Sequence, residues 1–173
     1  MELALASAIG VLTAIGVLRG ARGELRVALV ETQLPRGRGV AYATRRPEHL
    51  LNVPAGKMSG FAEAPDDFLD YALAQGNPDG LPREALAKAF LPRRLYGDYL
   101  QTRLAEARAA SSSTLDVIAD TAVALERSAA GWQVALASGA PLRADAVVIA
   151  AGNTPRPLPA RGGTGPTPLA RAR

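Results

Sequence analysis

Cysteine is absent from this sequence of 173 residues, and histidine occurs once, at His49. The lack of cysteine excludes disulfides, thiolate metal sites and cysteine nucleophiles. A single histidine excludes histidine metal clusters and relays that need several imidazoles. These two shortages exclude metal sites built on cysteine or histidine clusters, and we predict no metal site.

Aromatic residues are also scarce, at 5% of the chain, although the formal net charge is +4 and the pI is about 10.0. The positive charge is spread along the sequence and alternates with acidic residues. Binding of nucleic acid needs a clustered basic surface, often with stacking aromatics. We therefore expect no nucleic-acid partner. A hydrophobic content of 48% is typical of one globular domain with a sizeable core.

One long apolar run, Leu3 to Leu18, lies near the start of the chain. Met1 and Glu2 before it lack the positive charge of a secretion signal, and the run is shorter than the ~20 residues of a membrane span. We predict a short strand followed by a buried helix, no membrane partner and a cytoplasmic location. A membrane anchor made by this run remains the alternative.

Hydrophobic periodicity and turn residues divide the rest of the chain into strands, helices and loops. Leu25–Glu31 and Asp145–Ala151 are continuous apolar runs, typical of inner parallel strands. Between them, residues 114–125 contain one or two strands, and Trp132–Leu136 alternates as a half-buried strand does. Residues 155–173 are rich in Pro, Gly and Arg and are predicted to be a linker or disordered tail.

Helices are predicted in the middle of the chain. Asp66 has the character of an N-cap before a helix, Pro82–Phe90 forms a short helix, and Pro92 begins a longer one that ends at residues 111–114. Val40–Ser59 lacks a clear period and is predicted to be an ordered loop. The order of these elements predicts an α/β nucleotide-binding fold with a helical insertion.

The first candidate site combines Gly10, at the start of the apolar helix, with Glu31, 21 residues later at the end of a strand. In dinucleotide-binding folds a glycine-rich turn leads into a helix that holds the diphosphate, and an acid about 20 residues on binds the ribose. Ser7 and Leu5 occupy the positions where two further glycines are expected. The alternative is an ordinary buried helix followed by a surface glutamate.

Two further segments carry possible chemistry. Gly37-Arg38-Gly39 has the composition of a turn that faces a phosphate, although an ordinary flexible loop has the same composition. The strand at 144–153 ends in small residues that would let a ligand approach the backbone. For His49 we favour a hydrogen-bonded structural role over acid–base catalysis, because no partner carboxylate or nucleophile lies near it in sequence.

Together these segments resemble the FAD/NAD(P)-binding flavoprotein family that includes proteins similar to L-aspartate N-monooxygenase and FAD-dependent urate hydroxylase. The resemblance extends over residues 3–158. It is carried by five segments of the sequence: residues 37–42 (GRGVAY), 49–59 (HLLNVPAGKMS), 66–69 (DDFL), 92–100 (PRRLYGDYL) and 144–153 (ADAVVIAAGN).

The resemblance implies a Rossmann-like FAD-binding domain at 1–158, with a parallel sheet, a three-stranded β-meander and a helical insertion at about 65–110. It also implies that Glu31 binds the adenosine ribose and that Gly10 lies at the diphosphate. The other cofactor-binding residues that it implies are Gly37, Arg38, Gly39 and Asn52 on the flavin side, Val123 at the adenine, and Gly152 at the strand end.

FAD is the implied cofactor, and the longer members of the family also use NAD(P)H and act on a small-molecule substrate, as flavin-dependent oxidoreductases of the monooxygenase type. We predict no catalytic acid or base within this chain. Because relatives are longer, the chain is expected to be a fragment, incomplete at both ends, that tends to self-associate. The alternative is a binding module or remnant of the same fold that has lost its cofactor.

Overall fold

The computed structural model describes residues 8–31, 37–77 and 79–150. The helices are α1 (Ala8–Gly20), α2 (Gly39–Tyr42), α3 (Asp67–Gln75), α4 (Arg83–Lys88) and α5 (Arg93–Ala110), with a 3-10 turn at Ala55–Lys57. The strands are β1 (Arg26–Val30), β2 (Thr114–Ile118), β3 (Ala122–Ser128), β4 (Gly131–Leu136) and β5 (Pro141–Ala144). The fold is therefore α/β, as predicted.

Strands β1 and β2 form a parallel pair, in which Arg26 lies opposite Thr114 and Val30 lies opposite Ile118. The last four residues of β1 are buried, as expected for a strand with apolar residues on both faces. Helix α1 packs along α5 and against β1, and all three contribute to the main hydrophobic core. A parallel pair needs a long crossover, and the helices between β1 and β2 provide it.

Strands β3, β4 and β5 form a separate antiparallel meander. Gly131 and Gly139, at the two turns, have φ angles of 111° and 87°, a region that favours glycine. The meander buries Val134 and Leu136 against Val30 of β1, in a second and smaller core. The predicted three-stranded meander is thus confirmed, and residues 114–125 contain two strands, of which the second continues to Ser128.

The helical insertion surrounds a group of aromatic rings. Phe68 of α3 lies with its ring centroid 5.0 Å from Tyr96 and 5.2 Å from Tyr99, both on α5. Asp66 occupies the N-cap position of α3, but among the described residues its side chain makes no capping hydrogen bond. Its carboxylate instead accepts a hydrogen bond from Arg83, at 2.9 Å.

One predicted strand is wrong. Residues 145–150, the described part of the predicted Asp145–Ala151 strand, form no strand, and Ile149 is 75% exposed. A parallel strand is held by hydrogen bonds to a neighbour, and within the described residues β1 and β2 pair only with each other. Residues 145–150 therefore form no ladder of hydrogen bonds with a neighbouring strand, and among them only Ala150 is buried in the main core.

Two short helices inside the predicted Val40–Ser59 loop were also missed: α2 extends back into the Gly37–Gly39 loop, and the 3-10 turn lies at Ala55–Lys57. Elements of three or four residues have too few positions to show a period. The predicted strand before α1 and the tail after Pro155 fall outside the described residues. In the part of the chain that is described, no helix combines the length and the apolar character that crossing a membrane requires.

Candidate functional site

The carboxylate of Glu31 is buried at the carboxyl end of β1, with 3% of the residue exposed. Its backbone N–H donates to the carbonyl oxygen of Ile118 at 2.9 Å, which extends the pairing with β2 by one residue. The side chain accepts hydrogen bonds from the amides of Gly37, at 2.5 Å, and Gly39, at 3.2 Å. The alternative of a surface glutamate is therefore wrong.

The backbone of Gly37–Gly39 is shaped to hold an anion. Gly37 and Gly39 have φ angles of 76° and 61°, while Arg38 between them is right-handed, with φ −114° and ψ −20°. Alternation of this kind turns successive amides into one concave nest. The anion in the nest is the protein's own Glu31 carboxylate, so two of the predicted binding elements are joined to each other directly.

The Arg38 side chain extends to α5, where its guanidinium Nη2 donates to Asp98 at 2.5 Å. The Arg38 side chain is 18% exposed, and its Nε is buried without a hydrogen-bond acceptor among the residues that the structure describes. A buried donor without an acceptor costs roughly 1–3 kcal/mol. An acceptor atom of a ligand that reached this nitrogen would satisfy it.

Helix α5 approaches the 37–42 segment closely because Gly97 has no side chain. A Cβ atom at Gly97 would lie 2.6 Å from the carbonyl oxygen of Tyr42 and 3.0 Å from Cδ of Arg38. One turn further along α5, Gln101 packs against Gly37, where a Cβ atom would lie 2.3 Å from the Gln101 amide nitrogen. Both ends of the segment therefore fit closely against one face of α5.

The start of α1 completes this group of residues. Gly10 is buried there. A Cβ atom on Gly37 would lie 3.6 Å from Cγ2 of Val11, the next residue of α1. The structure thus brings the first turn of α1, Glu31 and the Gly37–Gly39 loop to one end of the parallel strands.

Two further predicted site residues, Asn52 and Val123, lie outside this group. Asn52 is exposed, in a segment held by hydrogen bonds from the amides of Leu51 and Ala55 to the carbonyl oxygens of Leu91 and Ala89, at 2.8 and 2.9 Å. Val123 is 62% exposed at an irregularity of β3, where the pairing with β4 passes from Ala122 to Ala124. Because Val123 has no partner residue in the register of β3 with β4, its backbone groups can hydrogen-bond to another molecule. Gly152 lies outside the described residues.

His49 is hydrogen-bonded, as we favoured. Its Nδ1 lies 2.7 Å from the hydroxyl oxygen of Thr44, and its carbonyl oxygen accepts from the Arg93 amide at 2.7 Å. The His49 segment is thereby attached to the start of α5. A search of the described residues finds no group of three histidine, aspartate or glutamate side chains that could hold a metal ion.

A second buried network, which the sequence did not reveal, connects α3, α5 and the loop at Gly60. The Tyr99 hydroxyl donates to Asp67 at 2.7 Å and accepts from the Gly60 amide at 3.2 Å. Arg103 donates to both oxygens of the same Asp67, at 2.8 and 2.9 Å. Burial, and then the hydrogen bond to Asp67, raise the pKa of Tyr99 to about 12.

The residues that sequence reasoning missed share one property. Gly97, Asp98, Tyr99, Gln101 and Arg103 all belong to α5, and their partners lie 30 to 65 positions earlier in the chain. Only the predicted helix could have indicated that Tyr99 and Arg103, four residues apart, share a face. No local spacing indicates which partner each would meet.

Comparison with solved structures gives the same fold. OTEMO in complex with FAD and NADP superposes with a TM-score of 0.57 at 12% identity, over 94% of this chain and 28% of that chain. FqzB superposes with a TM-score of 0.53 at 13% identity, over 88% of this chain and 36% of that one. The halogenase PltM gives 0.52 at 15% identity, over 88% and 34%.

These identities show the fold alone, and the chain spans about a third of the length of these three structures. A search of curated proteins finds no match to the sequence. The sequence model of the FAD-NAD(P)-binding family matches residues 7–154, which is most of the chain. The predicted resemblance and the predicted cofactors are thereby confirmed: the chain belongs to the FAD-NAD(P)-binding family.

Proposed function

We propose that this chain is the FAD-binding part of a flavin-dependent oxidoreductase of the monooxygenase type, and that the group around Glu31 binds the cofactor. The observation that carries the proposal is that Glu31, the Gly37–Gly39 nest and the start of α1 meet at the carboxyl end of the parallel strands. In open α/β sheets ligands bind outside this end of the strands.

The residues present fit FAD in three respects. Each Glu31 carboxylate oxygen accepts one described amide, and a carboxylate has about four acceptor positions, so hydroxyl groups of a ribose can still donate to it. The unsatisfied Nε of Arg38 offers a donor. The first turn of α1 has the partial positive charge that suits a diphosphate.

On this basis we assign a role to each predicted residue. Glu31 binds the ribose, Gly10 lies at the diphosphate, and Val123 offers its backbone to the adenine. Gly37, Arg38, Gly39 and Asn52 line the flavin side, and Gly152 lies beside the cofactor at the end of its segment. When bound, FAD supplies the redox chemistry by accepting a hydride from NAD(P)H, and the chain binds and orients it.

The proposal extends to the rest of the molecule. We propose one domain at 1–158 followed by a tail at 159–173, a cytoplasmic location, a small-molecule substrate for the whole protein, and no nucleic-acid partner. The scattered arginines support the absence of a nucleic-acid partner, and the absence of cysteine supports the cytoplasmic location. The exposed side chains of Val148 and Ile149, with no strand beside them in the described part, support self-association.

A second candidate is a module of the same fold that does not bind FAD. It is favoured by Leu5 and Ser7, which stand where dinucleotide-binding chains have glycines that let the backbone approach the diphosphate. This candidate and the first share the fold and differ in one measurable property, the retention of flavin.

The test is the visible absorption spectrum of the full chain after FAD is added and free cofactor is removed, followed by titration calorimetry. We expect a retained flavin band, and about tenfold weaker binding in Glu31→Gln, because a hydrogen bond to a charged group contributes about 1.5–3 kcal/mol. Glu24→Gln, at an exposed position before β1, is the matched control and should bind as wild type does. Folded wild-type protein that retains no flavin would support the second candidate.

A further inference from the structure

The strongest unexplained feature outside the Glu31 group is the way α5 holds Arg38. Asp98 binds one end of the guanidinium group, Nη2, at 2.5 Å. Gly97 lies beneath the same side chain, and a Cβ atom at Gly97 would lie 3.3 Å from Arg38 Nη1. The guanidinium group is thus bound to α5 by Asp98, and the missing side chain of Gly97 leaves room for it.

This arrangement leaves one buried donor of Arg38 without an acceptor. Nη2 donates to Asp98, and a Cβ atom at Gly97 would lie 3.3 Å from Nη1, while the buried Nε lacks an acceptor within the described part of the chain. Nε is also the donor nearest to the backbone of Arg38, whose neighbours Gly37 and Gly39 donate to Glu31. The ion pair therefore occupies the far end of the side chain and leaves unsatisfied the donor that is fewest bonds from the nest backbone.

Asp98 is well placed to control this geometry and does not itself belong to the nest. Its side chain is 45% exposed, and the ion pair joins α5 to a loop 60 residues earlier in the chain. An exposed ion pair adds little to stability by itself. Its more specific effect is to restrict the many rotamers of a long arginine side chain to one.

We propose that Asp98, together with Gly97, is a positioning residue for FAD binding: it holds the Arg38 guanidinium so that Nε can donate to the bound cofactor. This inference rests on the proposed function, since it requires that the chain binds FAD. It assigns to the Pro92–Leu100 segment the task of orienting a residue in the loop after β1.

The experiment uses the full chain and three variants: Asp98→Asn, Asp98→Glu, and the exchange of charges in Arg38→Asp with Asp98→Arg. FAD affinity is measured by titration calorimetry, and the unfolding midpoint is measured without FAD. Asp116→Asn, at an exposed position on β2, is the matched control. The Arg38 Nε–H signal is followed by nitrogen-15 NMR with and without FAD, which reports directly on that donor.

We expect Asp98→Asn to bind FAD about tenfold more weakly with little change in the midpoint, and Asp98→Glu to recover most of the affinity. The exchanged pair should keep the wild-type midpoint of the ligand-free protein but bind FAD as weakly as Asp98→Asn does, because the guanidinium group then belongs to a residue of α5. In wild type, hydrogen exchange at Arg38 Nε should slow on FAD binding.

Two results would overturn the proposal. In the first, Asp98→Asn binds FAD as wild type does. In the second, the exchanged pair binds FAD as tightly as wild type does, which is the behaviour of a purely structural ion pair. Wild-type protein that is folded but binds no FAD would overturn the proposed function and this inference with it, and this outcome is distinguished by the wild-type titration alone. Loss of affinity in Asp116→Asn as well would also contradict a specific role for Asp98.

Discussion

The helical side of the molecule, made of α1 and α3–α5, and the meander of β3–β5 are stabilised to different degrees. On the helical side Phe68, Tyr99 and Leu100 are fully buried, and the rings of the insertion contact one another at centroid distances of 5.0 to 5.5 Å. In the meander only Val134, Leu136 and Ala144 are buried among β3–β5, and six of the seven residues of β3 are exposed.

The comparison indicates which part of the candidate site is rigid. The Gly37–Gly39 loop lies against α1 and α5, on the well-packed side, whereas Val123 lies on the exposed strand of the meander. Local stability follows the density of buried apolar contacts. We therefore expect the Glu31 end of the site to be ordered before any ligand binds, and the meander end to gain order on binding.

The largest expected effect comes from Phe68→Ala. The substitution removes a fully buried ring from the centre of the aromatic group, and such truncations cost about 3–5 kcal/mol. Denaturant unfolding followed by circular dichroism measures the loss. Phe90→Ala, at a position that is 50% exposed, is the matched control and should leave the midpoint almost unchanged. Equal effects of the two substitutions would refute the difference between core and surface.

Leu136→Ala should have a smaller and more local effect. Leu136 is 7% exposed in the small core of the meander, and removal of its side chain should cost about 2–3 kcal/mol. Hydrogen exchange should accelerate in β3–β5 and stay slow in α1 and α5. If the amides of both regions lose protection together, the two regions unfold as one unit. Leu81→Ala, at an exposed position, serves as the control.

Alkaline pH should weaken the helical side selectively, since three of the four tyrosines lie there, at positions 71, 96 and 99, and the fourth, Tyr42, lies on α2. The pKa of Tyr99 rises to about 12 in the folded protein, chiefly through burial, against about 10 in an unfolded chain. Folding is then favoured fully below pH 10, and this contribution is lost as the pH rises from 10 to 12. Burial also raises the pKa of Tyr96, which acts in the same direction.

The measurement is the unfolding midpoint between pH 8 and pH 12, together with the ultraviolet absorbance of ionised tyrosine. Tyr99→Phe should reduce the alkaline loss of stability, since this variant has no phenol to ionise at that position. A wild-type midpoint that does not change up to pH 12 would contradict the prediction.

The smallest expected effect is that of Arg83→Ala. Arg83 pairs with Asp66 at 2.9 Å and with Asp70, but all three side chains are about half exposed, so water replaces the lost contacts. The unfolding midpoint should not change measurably.

Arg103→Ala is the contrasting variant. The Arg103 side chain is 17% exposed and donates two hydrogen bonds to Asp67, so its loss should lower the free energy of unfolding by about 2 kcal/mol. Similar midpoints for the two variants would contradict this reasoning.

Sequence reasoning predicted the elements that have a period of their own. The apolar face of α3, the long α5 after Pro92 and the alternation around Val134 are local signals, and each element forms where it was expected. The run at Asp145–Ala151 has an equally strong apolar signal, yet its described part forms no strand, because a strand depends on a neighbour that the run itself does not encode.

The sequence identified individual residues of the candidate site, but it did not predict how these residues contact one another. Glu31 and Gly37–Gly39 were both identified, but their direct hydrogen bonds were not, since nothing in the spacing shows that the nest turns toward the strand end. Asp98 and Gly97 belong to the Pro92–Leu100 segment that carries the family resemblance, but the sequence did not indicate a role for either residue. Contacts over 60 positions depend on how α5 packs, which periodicity does not determine.

The close fit between α5 and the loop after β1 has a consequence for how related sequences can diverge. Gly97 allows the Tyr42 carbonyl to approach, and Gly37 allows Gln101 to approach, so each glycine serves a residue of the other segment. A larger residue at one position can be accepted only if its opposite residue shrinks or moves. We expect α5 and the loop after β1 to co-vary among homologues. A chimera that takes one of the two segments from a homologue would therefore need the other segment from the same homologue.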